Sequence, residues 1–325
     1  MIIPIMISHS LFDFSGLNDI EILTKYNILK LFLYLFSKRS LLIRDNKNFI
    51  VSNSFESIKD IQDENIKTYL QRMLKNIVLN HSYVIDNINT LEGEIDQCCG
   101  IFITLLNSNK NYSGIYSIIQ CSTSLSCNDC ISQYCTNNNL INLNELENNS
   151  LFEEINQSNF IVSSDEYDIN TFKEKFINSF VMHTKNLIIY DKQISSLNKN
   201  CSDIADNIKN NLKYWIRYFY SLNDELNLKI ITTIKDRANQ KQVKQKLKEL
   251  IESIKNDIGI IHLTIEFSDI NIHERYFCSD NMLFSCDKGI DMIKDEETLV
   301  NNLHLCIIEK KEEFKIKQEL TKKNE

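Results

Sequence analysis

Residues that break helices and strands are scarce in this sequence. Its 325 residues include a single proline, Pro4, and six glycines. So few breakers indicate helices and strands that are seldom interrupted. Because 43% of the residues are hydrophobic and 25% are charged, the composition excludes a disordered chain. The length is sufficient for two domains, each with its own core.

Long apolar runs are also missing. A membrane helix needs about 20 apolar residues, whereas the most apolar stretch, residues 28–36, is short and contains Lys30. The N-terminus lacks the basic segment that opens a signal peptide. We therefore expect a cytoplasmic protein with no integral membrane association. In that compartment, ten cysteines are thiols or metal ligands more often than disulfides.

The excess of acidic residues is confined to the first half of the chain. Residues 1–165 hold 11 Lys/Arg and 18 Asp/Glu, a balance of -7, and residues 166–325 hold 25 and 26, a balance of -1. An acidic protein is a poor general binder of nucleic acid or anionic membrane. Only the second half is therefore a candidate for binding phosphate.

Apolar periodicity predicts an α/β protein. In the first half, the pattern predicts an N-terminal strand at residues 2–7, a helix at residues 19–36 and a long amphipathic helix at residues 54–81. In the second half, strands and helices alternate, which favours a mostly parallel sheet. The predicted strands are residues 186–190, 228–234 and 259–267, and the predicted helices between them are residues 204–220 and 239–255. The polar, Asn-rich segment 137–159 separates an α/β domain at 1–160, whose function the sequence does not indicate, from a second domain at 161–325.

The most specific motif in the chain is His273-Glu274-Arg275, followed by Asp280 and by Lys288-Gly289-Ile290-Asp291. A histidine and a cation two residues apart on a strand point to the same face. His273 and Arg275 can therefore contact one phosphate group.

The segment from about residue 170 to residue 300 resembles the phospholipase D-like superfamily. Within it, the C-terminal phospholipase D-like domain of MIT-domain-containing proteins is most similar. Tyr190-Asp191-Lys192-Gln193-Ile194 matches the family's strand ending in Asp-Pro-Tyr-Ile. His273-Glu274-Arg275 matches its His-Asp-Arg motif, and residues 287–291 match its Gly-Arg-Gly-Leu-Asp motif. The resemblance implies a phospholipase D-like α/β sandwich.

The same resemblance supplies two functional hypotheses. In catalytic relatives, the roles carried over would make His273 the nucleophile and Arg275 the cation that neutralises the phosphate. Asp280 lies at the spacing of the motif's acidic residue, and a partner histidine is the general acid of that chemistry. This sequence has Arg275 where catalytic relatives have lysine, and Lys288 and Gly289 lie where they have Gly-Ser-x-Asn. The MIT-type relatives are regarded as non-catalytic domains that bind phospholipids or dock partners.

The first hypothesis is accordingly a non-catalytic module that uses His273, Arg275 and Lys288 to bind phosphate. It would act as a homodimer in an assembly, such as one of microbial antiviral defence, on a phospholipid, a nucleic acid or an acidic protein. The alternative is a phosphodiesterase or nuclease in which His273 acts across the homodimer, because the motif occurs once. A third interpretation is that His273 and Arg275 only fix a loop through hydrogen bonds. A separate activity of residues 1–160 also stays open.

Two further features have competing interpretations. Cys121, Cys127, Cys130 and Cys135 lie within fifteen residues and include one C-x-x-C pair, so they can hold zinc tetrahedrally. The competing interpretation is a loop of free thiols. The lysine-rich helix at residues 241–248 is either a contact for phosphates or anionic lipid, or simply a solvated face.

Overall fold

The structure is a computed structural model. It describes residues 3–45, 48–80, 82–85, 116–119, 140–143, 153–155, 157–182, 184–234, 239–269, 274–280, 282–295, 298–308 and 316. The chain divides into two compact units, which we call the first unit (Ile2–Gln157) and the second unit (Ser158–Glu325, with Met1). The predicted α/β class is confirmed, because both units combine helices with a sheet.

The first unit contains a five-stranded parallel sheet. Its strands are β1 (Ile3–Ile7), β2 (Ser40–Asp45), β3 (Ser82–Ile85), β4 (Tyr116–Ile119) and β5 (Leu140–Asn142). Its helices are α1 (Asp19–Arg39), α2 (Phe49–Lys59) and α3 (Glu64–Asn80). The strand order is β3-β2-β1-β4-β5, and every neighbouring pair is parallel. Parallel neighbours require crossover connections, which α1 supplies between β1 and β2, and α2 and α3 supply between β2 and β3.

Local capping sets the helix boundaries of the first unit. Asn18 and Glu21 form a capping box at the start of α1. The predicted long helix at residues 54–81 is instead two helices, α2 and α3. The Asp63 side chain accepts hydrogen bonds from the backbone N–H groups of Asn65 and Ile66. These bonds satisfy donors that a helix start leaves free, so a new helix begins there.

The second unit contains a seven-stranded sheet and a two-stranded ribbon. Its strands are β6 (Asn159–Val162), β7 (Asn186–Tyr190), β8 (Asn227–Thr232), β9 (Leu263–Phe267), β10 (Tyr276–Ser279), β11 (Leu283–Cys286), β12 (Ile293–Asp295), β13 (Thr298–Leu299) and β14 (Leu303–Ile307). Its α-helices are α4 (Ile169–Phe172), α5 (Ser179–Met182), α6 (Asp206–Leu222) and α7 (Gln240–Ile258), and a π-helix (Lys173–Asn178) joins α4 to α5.

The prediction of a mostly parallel sheet in the second unit is wrong. The strand order is β6-β14-β11-β10-β7-β8-β9, and only the pairs β7/β8 and β8/β9 are parallel. The other four pairs are antiparallel. The alternation of strand and helix holds only as far as β9. Between β10 and β11 there are three residues, a connection too short for the crossover that parallel strands require.

The two faces of this sheet are covered differently near its centre. Tyr190, Ile231 and Tyr276 belong to a buried cluster against which Ile308 and Ile316 pack. Successive side chains of a strand point to opposite faces. The residues next to these three, Asp191, Thr232 and Arg275, therefore point to the other face. Among the described helices, none has both the length and the apolar character that crossing a membrane requires.

Candidate functional site

Polar side chains form a row across neighbouring strands of the second unit. Thr232 ends β8, Asp191 follows β7, Arg275 precedes β10 and Cys286 ends β11. Pairing places Tyr190 beside both Ile231 and Tyr276, so Asp191 has Thr232 on one side and Arg275 on the other. The backbone N–H of Cys286 donates to the carbonyl of Arg275 at 3.0 Å, which places Cys286 next in the row.

Asp191 is a buried carboxylate at the centre of this row, with its side chain 1% exposed. Its Oδ1 accepts a hydrogen bond from the backbone N–H of Gln193, and its Oδ2 accepts one from Ile290, both at 2.8 Å. Burial raises the pKa of Asp191 to about 6, although these two N–H donors and the charge of Arg275 lower it. The carboxylate thus links the end of β7 to the loop that follows β11.

Gly289 is required for that loop to reach Asp191. Its φ is +59°, a left-handed conformation that glycine adopts without penalty. A Cβ at this position would lie 1.9 Å from Asp191 Oδ2 and 2.5 Å from Arg275 Cδ. No side chain fits between the backbone and the ion pair. The absence of a side chain at Gly289 therefore lets the loop close over Asp191 and Arg275.

The guanidinium of Arg275 is fixed on one side only. Its Nε lies 3.5 Å from Asp191 Oδ1, an ion contact without hydrogen-bond geometry, and Nε is enclosed without any other partner. The side chain is 15% exposed, and Nε is its only nitrogen that is both enclosed and unpartnered. The two Nη groups are therefore not fully enclosed. Within the described part of the chain, they have no hydrogen-bond acceptor.

Two other residues adjoin these contacts, Lys288 in the chain and Cys286 in the sheet. Lys288 precedes Gly289 and is 45% exposed, and among the described residues its ammonium group has only the Asp287 carboxylate nearby, at 3.9 Å. Cys286 is fully buried, and burial raises the pKa of its thiol to about 12. A thiol with this pKa stays protonated at neutral pH and is not a nucleophile.

The structure does not bring Asp280 to Arg275. Arg275 precedes β10 and Asp280 follows it, so the two residues lie beyond opposite ends of this strand. Because β10 runs antiparallel to β7, the end of β10 that Asp280 follows lies beside the start of β7. Asp280 instead accepts four hydrogen bonds at the start of β7, from the Thr184 hydroxyl, the backbone N–H groups of Lys185 and Asn186, and the Asn186 amide. These donors hold the pKa of the carboxyl below its usual range even though its partial burial opposes them. These contacts make Asp280 an anchor for the start of β7.

Several predicted residues lie outside the described part of the chain. They are His273 and the four predicted zinc ligands Cys121, Cys127, Cys130 and Cys135. Their roles stay predictions. Within the described residues, no three His, Cys, Asp or Glu side chains come together in a way that could hold a metal ion.

Sequence reasoning did not identify the two residues that position Arg275. Asp191 and Gly289 appeared only as parts of matched motifs. A signal for Asp191 was available, because it is a carboxylate that directly follows the buried strand β7. A signal for Gly289 was the rarity of glycine in this chain. Comparison with protein-family models and with curated proteins finds no match to this chain.

Proposed function

We propose that the second unit is a non-catalytic module of phospholipase D-like type that binds a phosphate group at Arg275. The observation that carries the proposal is the one-sided fixation of the guanidinium. Asp191 and Gly289 contact the Nε and Cδ end of the side chain, whereas its Nη groups are not fully enclosed and have no acceptor among the described residues.

A guanidinium held in this way is suited to an oxyanion. Arginine has five N–H donors in a planar fork, and the four on Nη can contact two oxygens of one phosphate. Asp191 fixes the orientation of the fork before the ligand arrives, so less conformational entropy is lost on binding. Lys288, on the loop that covers Arg275, supplies a second positive charge, and His273 is the expected third group.

The surroundings of Arg275 favour binding over cleavage. Asp280, the acidic residue of the predicted motif, accepts hydrogen bonds at the other end of β10. The neighbouring thiol of Cys286 is buried and protonated. Cleavage would therefore depend on His273, which is the alternative function: a phosphodiesterase or nuclease acting across a homodimer.

Calorimetric titration of the full-length protein with inorganic phosphate tests the proposal. Hydrogen bonds to charged groups contribute about 1.5–3 kcal/mol each, so we expect Arg275→Gln to weaken phosphate binding by at least about tenfold. Arg275→Lys keeps the charge but loses the fork, and its affinity should be intermediate. Lys185→Gln, which removes an exposed cation at the end of β7 away from Asp191, should bind like the wild type. A wild type that does not bind phosphate, or an Arg275→Gln variant that binds it unchanged, would overturn the proposal.

The same preparations separate binding from catalysis. We expect no hydrolysis of bis(p-nitrophenyl) phosphate or of labelled DNA and RNA, with or without EDTA. Hydrolysis that survives EDTA, disappears in His273→Ala and accompanies a dimer in light scattering would instead establish the phosphodiesterase.

A further inference from the structure

A second cationic feature of this unit is a cleft of about 690 Å³ along α6. Its basic lining consists of Lys173, Lys213, Arg217 and Lys294, and Asp295 is the one carboxylate among its lining residues. The volume falls within the range of ordinary ligand sites. The cleft is therefore a local positive feature in a protein with a net charge of -8.

No carboxylate of the described residues neutralises the lysines of this cleft. Lys173, Lys213 and Lys294 form no ion pair with a carboxylate of the described residues, and Arg217 reaches Asp257 only at 3.7 Å between exposed groups. By contrast, Lys209 on the same helix is paired with both Asp203 and Asp206. The two ion pairs of Lys209 thus lie outside the lining of the cleft.

Two tyrosines alternate with the cations along α6. Tyr214 and Tyr218 lie one turn apart and both line the cleft. The Lys173 ammonium lies 4.9 Å from the centre of the Tyr214 ring and 4.5 Å from that of Tyr218. The Tyr218 hydroxyl donates to Asn178 Oδ1, at the end of the π-helix. Burial raises the pKa of Tyr218 to about 12, so the hydroxyl remains a donor.

We infer that this cleft binds single-stranded nucleic acid. Cations that contact phosphates, interleaved with aromatic rings on which bases stack, are the features by which proteins hold single strands. Asn210 adds an exposed amide that can hydrogen-bond to base edges. A membrane surface does not enter a concave site, and the bases of a single strand supply an aromatic ring at every phosphate, which matches the alternation of cations and tyrosines along α6. The inference goes beyond the proposed function, because it concerns residues other than Arg275.

Fluorescence anisotropy with a labelled short oligothymidylate tests the inference on the full-length protein. The cleft variant is Lys173→Gln/Lys213→Gln/Lys294→Gln. The matched control is Lys75→Gln/Lys185→Gln/Lys199→Gln, which removes three exposed cations outside the cleft. Losing three phosphate contacts should reduce the slope of log affinity against log salt by about 2, because each contact to a single strand contributes about 0.7. The control should change the slope little.

Two further measurements separate this site from others. Tyr214→Leu should weaken binding about tenfold, whereas Tyr214→Phe, which keeps the stacking surface, should bind like the wild type. A duplex of the same length should bind more weakly than the single strand. An unchanged far-ultraviolet circular dichroism spectrum establishes that each variant is folded. Trp215 fluorescence does not serve here, because the Tyr214 ring lies 5.2 Å from the Trp215 ring and its replacement changes the surroundings of that tryptophan.

Three results would overturn the inference. The first is a wild type that does not bind the single strand or that prefers the duplex. The second is equal loss of affinity in the cleft variant and in the control. The third is binding that Arg275→Gln abolishes and the cleft variant leaves unchanged, which would place the strand at Arg275 and support the proposed function alone.

Discussion

Substitution of Gly289 by alanine tests the geometry at Arg275 most sharply. The new methyl group would lie 1.9 Å from Asp191 Oδ2 and 2.5 Å from Arg275 Cδ, in a backbone with φ of +59°. Gly259, which ends α7, offers a matched control in the same unit. Its φ is +76°, but nothing lies within 4 Å of its Cβ position. The two variants thus share the backbone strain and differ in the collision.

The expected losses of stability follow from the backbone strain and from the collision of the new methyl group. A side chain in the left-handed region costs about 1–2 kcal/mol, and forcing extra volume into a filled space costs about 1–3 kcal/mol. We expect Gly259→Ala to lower the free energy of unfolding by about 1–2 kcal/mol. Gly289→Ala should lower it by about 2–5 kcal/mol, because both terms apply and because Asp191 is held by two backbone N–H groups.

Urea unfolding followed by Trp215 fluorescence measures the difference. This tryptophan reports on the second unit alone. In the folded Gly289→Ala protein, phosphate affinity should also fall, because the methyl group displaces the Arg275 side chain. Gly259→Ala should bind phosphate like the wild type. Equal destabilisation by the two substitutions would refute the close packing of Gly289 on Asp191 and Arg275.

Three other predictions concern single side chains. Asp280→Ala should lower the stability of the second unit by about 2 kcal/mol, because backbone N–H groups lose their acceptor, and leave phosphate affinity unchanged; weakened phosphate binding in a folded variant would contradict this structural role. The pKa of Asp191 is raised to about 6 in the native state, so between about pH 4 and pH 6 the native carboxyl keeps a proton that the unfolded chain has lost. The stabilisation of the native state by this proton is full at pH 4 and is lost as the pH rises through 6. The stability advantage of wild type over Asp191→Asn in urea unfolding should therefore be smaller at pH 7 than at pH 5, and an advantage that grows with pH would be the contrary result. Peptide mass spectrometry after maleimide treatment should find exposed Cys201 labelled in the native protein and buried Cys286 labelled only after unfolding; rapid native labelling of Cys286 would contradict its burial.

Periodicity predicted the elements of the second unit that are stabilised locally. The strand β7 has the predicted bounds, and α6 is displaced by two residues from the predicted 204–220. These elements have strong apolar patterns and adjoin one another in the chain. The direction of strands β10, β11 and β14 was not predicted, because it depends on short connections and on pairing between distant segments. In the first unit, the break between α2 and α3 depends on one hydrogen-bonding side chain, Asp63, which apolar periodicity does not register.

The candidate site was predicted in part. Arg275 and Lys288 were named from a motif, and the structure places Arg275 in the row of polar side chains with the loop of Lys288 over it. The roles of Asp191 and Gly289 could not be derived from spacing, since they are 98 residues apart in number and meet only through tertiary packing. The cleft along α6 was missed because Lys173 reaches Tyr214 and Tyr218 from a different element.

The central claim is that the outward N–H groups of Arg275 bind phosphate. It is tested most directly by NMR of the arginine side chains in ¹⁵N-labelled full-length protein, with Arg275→Lys identifying the Arg275 signal among the six arginines. Titration with inorganic phosphate should shift the Arg275 signal in a saturable manner and leave that of Arg44, in the first unit, in place. Saturable phosphate binding that leaves the Arg275 signal unmoved would contradict the account.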